Sequence, residues 1–130
     1  MAMKSIVYYL GLSALITHEL DAVLNVEWRL LYHLRTLPDV TASAIFVAMH
    51  FPMFFFFLYF SNHQKPKIKT LFRTFVALFL VVHGALHFRL SDHELYQFEG
   101  VLSNLYIFSA AFFALIFLVM TWQDRGFKKA

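Results

Sequence analysis

Several histidines and acids stand at spacings that allow them to meet. His83 and His87 lie at i, i+4 in "HGALH", so one helix face can present two imidazoles to a single ion. His18, Asp21 and Asn25 lie at i, i+3, i+7, again on one face. His50 stands alone in a long apolar stretch. Neutral imidazoles with carboxylates form a donor set that suits zinc, iron or copper. A carboxylate one turn from an imidazole can itself be a ligand, or can orient the ring. The chain contains no cysteine, which excludes disulfides, thiolate ligands, iron–sulfur clusters and cysteine nucleophiles. A metal here must be held by His, Asp, Glu or backbone oxygen.

The elements that must position these groups are membrane helices. Of the 130 residues, 60% are hydrophobic and 17 are phenylalanine. Soluble domains hold about 45–50% apolar residues, and one of this size cannot hide more. A bilayer core of about 30 Å takes about 20 helical residues. The predicted class is therefore all-α: one domain, residues 1–130, of four transmembrane helices at about 5–24, 41–60, 71–90 and 100–121. The second and fourth spans are free of charge. The third lies between Arg73 and Arg89, which can snorkel outward. The first has no such escape, because its acids are short. A span starting near Ser5 must carry His18, Glu19 and Asp21 into the bilayer.

Three connections join the spans. Pro38 ends the first helical region in "RTLPDVT", "SNHQKPKIK" is expected to be a polar loop broken by Pro66, and "RLSDHELYQFE" is a short acidic link. The run "FPMFFFF" is expected to pack on lipid and neighbouring helices. "MAMK" before an apolar stretch looks like a signal peptide, but no small-residue cleavage site follows before the acids, so it is expected to be a retained span. Eight basic residues (Lys4, Lys65, Lys67, Lys69, Arg73, Arg125, Lys128, Lys129) fall on one side of this topology. Arg29, Arg35 and Arg89 fall on the other. The positive-inside rule then puts both termini in the cytoplasm of a cell inner (plasma) membrane.

That topology allows depths to be compared. At ~1.5 Å per residue, His18 lies roughly 20 Å above the inner face, His83 roughly 18 Å and His50 roughly 17 Å. His87 and Asp21 lie one turn higher, and Glu99 just beyond them. The predicted metal set is thus His18, Asp21, His50, His83, His87 and Glu99. Gly84 can admit a close helix neighbour. Pro52 should free the carbonyl of Ala48 and tilt His50 inward. Glu19 points off the main face and is expected to pair with Arg89 or Arg29. Glu27 and Arg29 in "VEWRLL" form a rim or lid, and Trp28 an interfacial anchor. The plainer alternatives are one interhelical hydrogen bond for His50, worth about 0.6–2 kcal/mol in membranes, a polar clamp fixing helix packing for His18 with Asp21, and interfacial bonds to backbone or lipid headgroups for His83 and His87.

"THELDAVLNVEWRLL" with "HGALH" resembles a family of small bacterial four-helix membrane proteins of unknown function, marked by a His-Glu-Leu-Asp-Ala motif. There is a looser similarity to a membrane family named for its His-x-x-Glu-Glu motif, although this chain has acids at 19 and 21 instead of an adjacent pair. These resemblances imply a fold and a membrane location, and no activity. "HGALH" is also similar to one histidine box of membrane desaturases and hydroxylases, which need more such boxes, facing the cytoplasm.

Three functions compete on these residues. The first is a buried His/carboxylate metal site in the outer half of the bilayer, as in a metal-dependent membrane enzyme acting on a lipid-soluble substrate. The second is a single-haem b-type electron carrier, with His50 and His83 as axial ligands. The third is a non-catalytic proton-relay, transport or assembly subunit. Expected partners are membrane lipids and either a second copy or a partner membrane subunit. Nothing in the sequence supports nucleic-acid binding.

Overall fold

A computed structural model describes the backbone of residues 3–126 and the side chains of residues 3–124. The side chain of Arg125, and Lys128 and Lys129, counted above among the inner charges, lie outside the described residues. The fold is all-α, with four long helices: α1 (Met3–Leu24), α2 (Asp39–Ser61), α3 (Pro66–Leu90) and α4 (Val101–Gly126). A short 3₁₀ turn, Glu27–Arg29, follows α1. Three helices, α2, α3 and α4, are long and apolar enough to cross a membrane. α1 has the length, at 22 residues. It falls short in apolarity, because Lys4, His18, Glu19 and Asp21 interrupt it.

Side-chain pairs fix the helix directions. Lys4 pairs with Asp124, Tyr8 with Ser61 and Tyr9 with Asn62. The start of α1 therefore lies beside the ends of α2 and α4, and the chain runs up and down in alternation. At this end Arg73 donates to the Ser61 carbonyl (2.9 Å), Ser5 Oγ (3.0 Å) and Tyr9 Oη (2.9 Å), and lies over the rings of Tyr8 and Tyr9. One planar guanidinium thus ties α1, α2 and α3 together. The adjoining apolar core is built on Tyr8, Leu12, Leu15, Leu80, Ala110 and Phe117. A second core, at the far end, gathers Ala22, Trp28, Phe46, Tyr96, Phe98 and Ile107. His18, His83 and His87 sit between the two.

One local feature differs from expectation. Pro66 does not break a loop; it starts α3 at its first turn, where its missing N–H costs nothing, so the helix includes Lys67, Lys69 and Arg73. α2 runs unbroken through Pro52. The phenylalanine run divides as its two expected surroundings require. Phe51, Phe55 and Phe56 point outward, and Phe57 packs inward on Phe72 and Phe79. Gly84 is buried, and a Cβ there would lie 2.8 Å from Ala111 Cβ, so α3 and α4 meet as closely as glycine permits.

Candidate metal centre

α1 stops at Leu24, one turn beyond Asp21. Val26 then adopts φ 48, ψ 42, the left-handed region that a β-branched residue rarely enters. Such a conformation costs about 1–3 kcal/mol and persists only where the surroundings enforce it. Here it reverses the chain, so that Glu27 returns to the helix it has just left. The turn is held from outside: Trp28 Nε1 donates to Asp39 Oδ1 (3.1 Å), and Arg29 clasps the same carboxylate.

The result is a compact group. One ligand atom each from His18, Glu27, His83 and His87 lies within 4.8 Å of the others. His18 Nε2 is 3.1 Å from His83 Nε2 and 3.5 Å from Glu27 Oε2, and His87 Nε2 is 3.9 Å from Glu27 Oε1. Zinc–nitrogen bonds of about 2.0–2.1 Å place tetrahedral neighbours about 3.3 Å apart, so the spacing suits one ion with small adjustments. The rings of His83 and His87 stack at 4.6 Å, and His18 stands edge-on to both. His18 is only 1% exposed. Its Nδ1, Glu27 Oε2 and Asp21 Oδ2 are buried without a hydrogen-bond partner. Buried polar atoms left in this state mark strain or a missing ligand.

The surroundings orient the set. His87 Nδ1 is 3.2 Å from Tyr96 Oη, which leaves Nε2 for the group. Phe98 packs on the rings of His18 and His87 and closes the top. Burial pushes the Glu27 carboxyl up, but the adjacent His18 imidazole, with His87 and His83 behind it, outweighs burial and holds it below the ordinary range. Burial, and then the Glu27 charge, push the Tyr96 phenol up.

The other predicted ligands lie outside this group. His50 Nδ1 donates to the Phe46 carbonyl (2.7 Å), and its Nε2 meets Glu19 Oε2 at 2.8 Å. Both ring nitrogens are therefore engaged, and Glu19 pairs with His50 instead of with Arg89 or Arg29. With Nδ1 donating, the Nε2–Oε2 contact must hold one proton between imidazole and carboxyl. His50 lies outside the group that contains His83. Asp21 has one buried carboxylate oxygen but is not in the group, and Glu99 is exposed. Glu27, expected at the rim, is in the group, and Tyr96 and Phe98 support it. The alternation of aromatics in "YQF" was the one sequence signal for those two.

These features define an all-α protein with membrane-length helices and a His/Glu group able to hold a metal ion. The chain belongs to DUF6713, a family of unknown function whose model matches residues 4–124. No curated protein and no solved structure matches it.

Proposed function

We propose that this chain is a metal-binding integral membrane protein. In this reading α1 also crosses the bilayer, both termini are cytoplasmic, and the ion sits in the outer half of the membrane. His18, Glu27, His83 and His87 hold it, as an N₃O set suited to zinc, iron or copper. The observation that carries the reading is the convergence of four donors from three elements, with Glu27 Oε2 among them buried and without a hydrogen-bond partner. Ionisable groups are costly in a membrane and are retained where they pair or act. A bound ion would satisfy Glu27 and take the three imidazoles as ligands at once.

The arrangement favours an accessible ion over a sealed structural one. Glu27, His83 and His87 line a cavity, while His18 stands behind them. A metal open on one side can act as a Lewis acid toward an oxygen donor. The test is metal analysis and an absorption spectrum of the detergent-purified protein. Near-stoichiometric zinc, iron or copper is expected, and its loss in His83→Ala. A Soret band would favour haem. A folded, colourless, metal-free protein that cannot be loaded would leave the proton-relay or assembly reading.

A further inference from the structure

The cavity beside the group has a volume of ≈ 260 Å³. That is about nine times the ≈ 30 Å³ share of a water molecule in the liquid, or room for a chain of about nine heavy atoms. Its polar end is formed by Glu19, Glu27, His83 and His87. Its walls come from α3 and from the segment after the 3₁₀ turn, with Leu31, Phe79, Leu86 and Leu90 among them. Phe79, His83, Leu86 and Leu90 are spaced 4, 3 and 4 residues apart, so they form one stripe along α3. Leu31, Phe79 and Leu86 are also exposed on the outer surface. The mouth is therefore on the apolar flank of the bundle, the side that meets acyl chains in the membrane reading.

Charge narrows the occupant further. Glu27 lies at the polar end beside Glu19, which shares a proton with His50, and among the described residues no lysine or arginine lines the cavity. A phosphate or carboxylate headgroup would leave water for an apolar cavity with no cationic side chain to receive it, and with only the ion's charge, partly offset by Glu27, to compensate. An uncharged oxygen needs only the ion's free side.

We propose that this cavity is the binding site for an uncharged, single-chain amphiphile of the alcohol, aldehyde or ester class. It enters from the lipid between α3 and residues 30–31 and places its oxygen on the metal. This deepens the metal-site reading and rests on it. The apolar tail lies along the α3 stripe, and the oxygen reaches the face shared by Glu27, His83 and His87.

The test uses the full chain in detergent, loaded with cobalt(II), whose visible bands report changes in coordination. Octanol is expected to shift those bands saturably. Leu86→Trp, or Leu31→Trp on the facing wall, fills the mouth from an exposed position. Each should keep bound cobalt and weaken the octanol response about tenfold. Octyl phosphate should act at least about tenfold more weakly than octanol. Cobalt that binds and is lost in His83→Ala, yet does not respond to octanol, overturns this inference and leaves the metal site standing. An equal response in both tryptophan variants, or tighter octyl phosphate, does the same. No cobalt at the group, or equal cobalt in His83→Ala, overturns the metal site and this inference with it.

Discussion

His87 shows how one nitrogen of an imidazole assigns the other. When Nε2 serves a metal, Nδ1 carries the proton and donates it to the Tyr96 oxygen. The raised Tyr96 phenol stays uncharged, so it remains a neutral partner. Tyr96→Phe should keep the fold and lower metal affinity by about tenfold to a hundredfold. Competition against a chromophoric chelator measures this; unchanged affinity would remove Tyr96 from the site. Glu27 carries a pH signature in the metal-free protein. Its carboxyl is held below the ordinary value of 4.5, so the folded state binds its proton less readily than the unfolded state. That stabilisation is full above 4.5 and is lost as pH falls through the lowered value. Wild type should thus unfold at a higher temperature than Glu27→Gln at neutral pH, and the difference should shrink on the acid side. A pH-independent difference would contradict the assignment. His18, His83 and His87 were legible from spacing and depth. Glu27 was not, because spacing along a helix says nothing once the chain has turned back.

At the scale of elements, the site depends on where helices stop and how closely they pack. α1 ends at Leu24 because Val26 reverses the chain, and no glycine or proline announces the turn. An aliphatic residue in the left-handed region is invisible to propensity and is imposed by the contacts of Trp28 and Arg29 with Asp39. Gly84, in contrast, was read correctly as a point of close approach. Gly84→Ala sets a new Cβ against Ala111 Cβ, and neither atom can rotate away. The helices must separate, at a cost of about 1–3 kcal/mol. Because Gly84 lies between His83 and His87, the same substitution should also weaken metal loading. Unfolding in detergent and a metal assay on one preparation test both outcomes; a fully stable variant would show that α3 and α4 do not meet there. The third helix was expected to start near Leu71, because basic residues suggested a loop. Pro66 is a poor interior residue but a good first one, and Arg73 gains three hydrogen bonds by being helical.

Across the whole molecule, the apolar exterior is the dominant fact. Phe51 is 79% exposed, Val101 85% and Trp122 76%, and comparable residues cover all four helices. Such a surface is stable in lipid and an aggregation hazard in water. Lys4, Lys65, Lys67, Lys69 and Arg73 gather at the end where Tyr8 meets Ser61, and the His/Glu group lies toward the other. With that polarity, a C-terminal reporter should give a cytoplasmic signal. A periplasmic one would invert the bundle and move the site to the inner side. Helix number, the apolar surface and the common height of His18, His50 and His83 along the bundle were determined by the sequence itself, because hydropathy over about 20 residues and 1.5 Å per residue are local properties. Only the tertiary structure decided which groups meet. His50 took Glu19 as its partner, Asp21 and Glu99 remained outside, and Glu27 joined three histidines. Depth places a residue along the bundle axis, whereas rotation about each helix and the path of each turn are set by packing among all four helices together.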